Sequence, residues 1–218
     1  MSVEEHLGHI YQRLRDKYGP QNWWPADDPF EVIVGAILTQ STAWSNVEKA
    51  IGNLKEAGAL SPSALRLIPT DELAGLIRPS GYFNVKSRKL KAFVEHLGTV
   101  HADSLERMFA SDISGLREEL LSIYGIGQET ADSIILYAAR KPTFVVDAYT
   151  HRIMDRLGLN PNTGSYRALQ AVFMENLPPD EGMFNEYHAL FVRHGKDYCR
   201  RRPACRECCL ADMCGFVT

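Results

Sequence analysis

The chain has 218 residues, of which 45% are hydrophobic and 23% charged, with a formal net charge of −3. This is the composition of a globular protein with one large domain or two small ones, and bulk charge alone argues against a nucleic-acid partner, so any DNA contact needs a local basic face. No apolar run approaches the roughly 18 residues of a membrane span and the start lacks a signal-peptide core, so no membrane contact is expected and the expected location is the cytoplasm.

Helical periodicity runs through the chain. Val3, Leu7, Ile10, Tyr11 and Leu14 mark a first apolar stripe, and Val32, Ile33, Ala36 and Ile37 a second. Ser61-Pro62 and Thr70-Asp71-Glu72 read as helix starts, and Gly58, Gly81, Gly98 and Gly158 as stops. Leu90, Phe93, Val94 and Leu97 form a third stripe; Ala131, Ile134, Ile135 and Ala138 a fourth; Tyr187, Leu190, Phe191 and His194 close the series. Only Thr143-Phe144-Val145-Val146 reads locally as strand, too short to seed a sheet. Residues 177–183 read as a loop. The expected fold class is all-α, with about ten to twelve helices at ordinary helix and loop lengths.

The most informative stretch is residues 121–132, Leu-Ser-Ile-Tyr-Gly-Ile-Gly-Gln-Glu-Thr-Ala-Asp. Gly125 and Gly127 allow positive φ or a close backbone approach, and Ile126 between them can anchor the turn in the core. The N–H groups opening the following helix then face outward at the positive end of its dipole, which suits a phosphate. Such a hairpin grips DNA backbone without reading sequence. A lone G-I-G is more often an ordinary tight turn, so what lies downstream decides its meaning.

Downstream is Val145-Val146-Asp147-Ala148-Tyr149-Thr150-His151-Arg152. Asp147 follows two β-branched residues and is expected at a helix start, where it can serve as N-cap with Thr150 at N3. A carboxylate there can also face a nucleotide. Cleaving an N-glycosidic bond builds oxocarbenium character on the sugar, which a fixed carboxylate stabilises while orienting water toward C1′.

All five cysteines lie between Cys199 and Cys214. Clustering in a reducing compartment points to metal rather than a disulfide framework. The pattern Cys199-x5-Cys205-x2-Cys208-x5-Cys214 suits a [4Fe–4S] cluster, or less well an all-thiolate zinc site; Cys209 is an adjacent fifth thiol. Arg193, His194, Lys196, Arg200, Arg201, Arg202 and Arg206 form a basic patch around it, and Lys86, Arg88, Lys89 and Lys91 a second basic segment. Either could follow phosphates, although a charge run is ordinarily a solvated face.

Together the hairpin, the V-D-x-x-T-H-R run and the terminal cysteines resemble the helix-hairpin-helix–Gly/Pro–Asp superfamily of DNA glycosylases, to which endonuclease III belongs, across nearly the whole chain and in the family's order. The resemblance implies a two-domain fold. A six-helix barrel domain over residues 25–135 contains the helix-hairpin-helix, and residues 1–24 and 136–218 form a terminal helical domain with an iron–sulfur loop at 199–214. It implies a monomeric base-excision-repair enzyme, nucleoid-associated, whose partner is double-stranded DNA containing a damaged base. Asp147 takes the catalytic position. Gln40 matches the glutamine that enters the space left by the flipped nucleotide, and Tyr82 sits in the loop resembling the family's wedge. Lys86, Gly125, Ile126, Gly127 and Thr130 complete the expected DNA-binding set. The cysteine loop resembles the endonuclease III cluster loop with its first gap one residue shorter, which makes Cys199, Cys205, Cys208 and Cys214 the ligands, since Cys208 keeps the family's final gap.

Two departures bear on activity. Members resembling endonuclease III that also cleave the strand carry a Lys two residues after the second hairpin glycine; here that residue is Glu129, and a carboxylate cannot form an imine. A monofunctional glycosylase is expected, with Lys141 or Lys196 as substitute amines left open. The second concerns the base pocket, expected from Trp23, Trp24, Pro25, Trp44 and Glu129. Stacking on tryptophan suits an everted base, above all a cationic alkylated purine, although one of Trp23 and Trp24 is expected to staple the N-terminal helix to the core. The segments W-W-P, G-A-I-L-T-Q-S-T, Ile77–Asn84 with Lys86, and G-I-G-x-E look like the 3-methyladenine DNA glycosylase III branch, which typically lacks a cysteine loop. Gly35, where the adenine-mismatch branch carries a glutamate, argues against that branch. Oxidised pyrimidine or mismatched uracil or thymine as substrate, and a non-catalytic damage-binding protein, are the competing readings.

Overall fold

The computed structural model describes residues 2–161 and 163–216. Among these residues the secondary structure is entirely helical: α1 (Val3–Tyr18), α2 (Pro29–Leu38), α3 (Trp44–Glu56), α4 (Pro62–Leu67), α5 (Thr70–Leu76), α6 (Phe83–His101), α7 (Leu105–Phe109), α8 (Ile113–Ser122), α9 (Gln128–Ser133), α10 (Ala148–Arg156), α11 (Tyr166–Met174) and α12 (Glu181–Asp197). A π-helical stretch, Ile134–Ala138, continues α9. The chain divides into an internal unit, Ala26–Lys141, and a terminal unit made of Met1–Pro25 and Pro142–Thr218. None of the described helices is long and apolar enough to cross a membrane.

In the internal unit, α2 starts sharply because Asp28 accepts hydrogen bonds from the Phe30 and Glu31 N–H groups while Pro29 pre-sets the first turn. From Phe30 to Leu38 every residue of α2 is buried, as expected of a helix that is apolar all round. Its one acid, Glu31, is paired with Lys55 at 2.9 Å. The π-helical stretch, α3 and α6 pack on α2. Each Leu or Ile so buried contributes about 1.5–3 kcal/mol relative to exposure. The helix α8 is joined to α9 by an ion pair between Arg117 Nε and Asp132 Oδ1 at 2.9 Å, with Asp132 fully buried.

In the terminal unit, α12 packs against α1 and α10. Phe144 stacks on Phe173 at 3.7 Å and 3°, and meets Phe184 and Tyr187 edge-on. The Tyr187 hydroxyl reaches the Leu7 carbonyl of α1 at 2.9 Å, which satisfies a fully buried phenol.

Three local expectations are corrected, the first being residues 177–183, which are not all loop because α12 begins at Glu181. Thr143–Val146 is not a strand: it is a buried irregular segment, and its β-branched character reflects insertion into the aromatic core. Gly98 does not end a helix, because α6 runs through it to His101. Its lack of a side chain makes room for Arg66, whose guanidinium lies 2.5–3.2 Å from where a Cβ would be and donates to the Val94 carbonyl and to Asp103.

Candidate active site

In the terminal unit, buried Val145 and Val146 carry the chain to the start of α10, where Asp147 is the N-cap. Its Oδ1 accepts the Thr150 N–H at 2.7 Å and the Thr150 hydroxyl at 3.0 Å. Its Oδ2 lies 3.7 Å from Nε2 of His188 on α12, and the side chain keeps 13% of its surface exposed. Burial pushes the carboxyl upward, but the His188 imidazole and the two Thr150 hydrogen bonds outweigh it, so the group is held below its ordinary value. The carboxylate is therefore ionised at neutral pH, fixed through one oxygen, and still reachable by solvent. The cap uses Oδ1, and Oδ2 faces His188. His188 is the residue that reading the sequence missed. It lies 41 positions downstream on another helix, and no local pattern pairs it with Asp147.

In the internal unit the hairpin is assembled around Gln40. Its Nε2 donates to the Gly125 carbonyl at 3.1 Å and to Thr130 Oγ1 at 2.9 Å, while Lys89 Nζ donates to its Oε1. Gly125 has φ +82°, and a Cβ there would collide with the Lys89 side chain. Ile126 is buried, as the anchoring role requires. Gly127 is different from expectation: its φ is −95° and a Cβ would meet nothing within 4 Å, so neither positive φ nor close approach requires glycine there. It caps α9 without a side-chain hydrogen bond. Glu129 is exposed in this first turn. Gln40, Gly125 and Thr130 thus form one cluster, with Lys89 added by the structure.

Tyr82 is 72% exposed and holds φ +46° as the residue before α6. A left-handed non-glycine residue costs about 1 kcal/mol or more. Lys86, expected on DNA, is corrected: it is 1% exposed, and its ammonium donates at 2.7 Å each to the Leu38 and Ser80 carbonyls. Burial, with Lys89 nearby, lowers it to about 8. It cannot reach a phosphate; it ties the end of α2 to the turn before Tyr82. Lys91 is likewise turned onto the Arg66 and Ile68 carbonyls, so only Arg88 of the second basic segment is exposed. Trp23 and Trp24 are half-buried, edge to face at 5.5 Å, and Pro25 is exposed. Trp44 is half-buried as the first residue of α3.

The cysteine loop is fastened to α10. Arg156 donates to the Cys199 sulfur at 3.1 Å and to the Arg200 carbonyl at 2.8 Å, and Arg152 to the Cys199 carbonyl at 2.7 Å. One pocket has Cys199, Cys205, Cys208 and Cys214 in its wall and does not include Cys209. The Leu210 N–H also points at Cys208 Sγ at 3.4 Å, a donor of the kind that tunes cluster sulfurs. The donor set fits an iron–sulfur cluster. His194 is removed from the surrounding basic patch: it is buried, hydrogen-bonded to the Tyr18 hydroxyl at 2.8 Å, and burial together with Lys17 lowers it to about 4. Lys196, Arg200, Arg201, Arg202 and Arg206 are exposed.

Comparison with known proteins follows the same lines. The pattern of the HhH-GPD superfamily of base excision DNA repair proteins matches residues 34–179. A chain of Methanocaldococcus jannaschii named as a DNA repair glycosylase is 45% identical over 212 residues, covering 96% of each chain. Endonuclease III of Thermotoga maritima is 30% identical over 194 residues, covering 87% of this chain and 84% of its own. Among solved structures, the 3-methyladenine DNA glycosylase of H. pylori bound to 1,N6-ethenoadenine superposes with a TM-score of 0.78 at 28% identity, covering 90% of this chain and 98% of that one.

Proposed function

The chain belongs to the HhH-GPD superfamily of base excision DNA repair proteins and is a DNA glycosylase; from that premise we propose that it hydrolyses the glycosidic bond of an everted alkylated purine such as 3-methyladenine, without cleaving the strand. The observation that carries the reading is Asp147: an ionised carboxylate with Oδ1 tethered to Thr150, Oδ2 3.7 Å from His188 Nε2, and part of its surface open to solvent. As the bond to the base lengthens, positive charge grows on the deoxyribose, and this carboxylate opposes it at close range. Water adds to C1′ and Asp147 takes its proton. The base departs with the bond's electron pair, which neutralises an alkylated ring that was cationic. Such a leaving group needs little acid assistance, so the remaining selectivity falls to shape and stacking. Trp23, Trp24 and Trp44 are candidates for that stacking.

Glu129 supports the monofunctional reading, since the hairpin helix offers a carboxylate where an imine-forming amine would be required. Gln40, Tyr82 and the uncapped start of α9 are proposed to hold the distorted duplex. Cys199, Cys205, Cys208 and Cys214 would hold a [4Fe–4S] cluster, which supplies cross-links for the basic loop and no step of the hydrolysis. That loop, which the 3-methyladenine branch typically lacks, favours a second reading: oxidised pyrimidine or mismatched uracil or thymine as substrate.

A panel of duplexes, each with a single lesion, separates the two. Release of 3-methyladenine with no release of thymine glycol or uracil is expected; the reverse pattern establishes the second reading. Borohydride added to a reaction on abasic DNA should trap little covalent adduct, and efficient trapping would overturn the monofunctional assignment.

A further inference from the structure

Well separated in sequence from the hairpin glutamine and from Asp147, three side chains of the internal unit converge. His96 and His101 lie on the last turns of α6, and Glu119 on α8. His96 Nε2 is 2.7 Å from Glu119 Oε1, and His101 Nε2 is 2.5 Å from the same oxygen. All three donor atoms fall within 4.8 Å of one another, the one such trio of His, Cys, Asp or Glu among the described residues. Their side chains are 23%, 13% and 19% exposed, so the trio is half-buried with an open side toward water.

The geometry points to a divalent transition-metal site, of zinc type, formed by His96, His101 and Glu119 and bridging α6 to α8. Two neutral imidazoles and one carboxylate are a ligand set suited to zinc, with water completing the tetrahedron. Zinc–nitrogen and zinc–oxygen bonds of about 2.0–2.2 Å put tetrahedral ligand atoms about 3.3–3.5 Å apart. The present separations therefore need to open by less than about 1 Å, a rotamer adjustment for three partly exposed side chains. Each Nε2 offers the metal its lone pair, the single proton of each neutral ring then sitting on Nδ1, so that the two imidazoles and the Glu119 carboxylate bind with no ring left charged. The site closes the end of α6 onto the helix that leads into the hairpin, so its effect is on the rigidity of the internal unit rather than on chemistry at Asp147.

The test uses the full-length protein with its iron complement intact, equilibrated with excess zinc, gel-filtered and analysed for metals. One zinc per chain above the iron content is expected for wild type and for a His6→Ala control. His96→Ala and His101→Ala should each lower zinc affinity at least tenfold, with the double variant losing the zinc. Zinc should raise the melting temperature of wild type and leave that of the double variant unchanged. Should the alanine variants fail to fold, His96→Gln and His101→Gln preserve hydrogen bonding to Glu119 and must still lose the metal. Absence of zinc in wild type, or retention in the folded double variant, overturns the site and leaves a hydrogen-bonded latch.

Discussion

Replacing Asp147 by Asn separates the carboxylate's two duties. Asn accepts through Oδ1 as Asp does, so the Thr150 N–H and hydroxyl keep their partner. Asp and Asn are about equal as N-caps, so the stability that Asp147→Asn loses is that of the Oδ2 contact with His188, a loss that Asp147→Ala shares. The lost charge is another matter. At about 4 Å from an oxocarbenium-like centre and an effective dielectric near 20, a unit charge is worth about 4 kcal/mol, or roughly 10³-fold in rate. With the sugar carrying only part of a charge, single-turnover base release should fall by about 10²–10³-fold. Asp147→Ala should fall equally and also lose the cap, costing about 1 kcal/mol, or about 2–4 °C in Tm for a chain of this size. The assay is single-turnover release of base from a lesion duplex, beside thermal unfolding of the same preparations. Asp147→Asn active within tenfold of wild type would refute the electrostatic role; inactivity with a Tm fall as large as that of Asp147→Ala would show that the cap was the whole effect. The pH dependence has a fixed sign. Because the folded-state value lies below the ordinary one, the stabilisation Asp147 contributes is complete above about pH 4 and is lost as pH falls through that lower value. Base release between pH 7 and pH 5 should therefore show no loss from this group.

Lys86→Met should destabilise by about 1–3 kcal/mol by stranding the Leu38 and Ser80 carbonyls, measured by urea unfolding, while leaving the salt dependence of DNA binding unchanged, because the ammonium touches no phosphate. Gly125→Ala combines positive φ with a clash on Lys89 and should cost more than about 1 kcal/mol with weakened DNA affinity. Gly127→Ala should be tolerated within about 0.5 kcal/mol; equal effects would contradict the hairpin geometry. Cys208→Ser should lose iron, whereas Cys209→Ser should keep about four irons per chain, read by iron analysis and visible absorbance.

Several features of this protein follow from local pattern alone. The apolar stripes mark helices because a 3.6-residue period must bury one face, and α2, α6, α9 with its π-helical continuation, and α12 carry them where they were expected. Asp147 with Thr150 is legible as a cap because the cap is a contact between residues three apart. The hairpin and the cysteine spacing are legible for the same reason. Side-chain direction is not. Lys86 and Arg88 are two residues apart on one helix, yet one is sealed inside and the other is in water, since α2 and the turn at Ser80 present carbonyls to one side of α6 only. The partners of Asp147 and of Gln40 come from 41 and 85 residues away, as does the meeting of His96 and His101 with Glu119 across two helices. Spacing along the chain determines which faces are apolar and which turns are tight; only the packing of one helix on another decides which polar atoms meet, because those distances depend on the path of the whole unit and not on any window of sequence.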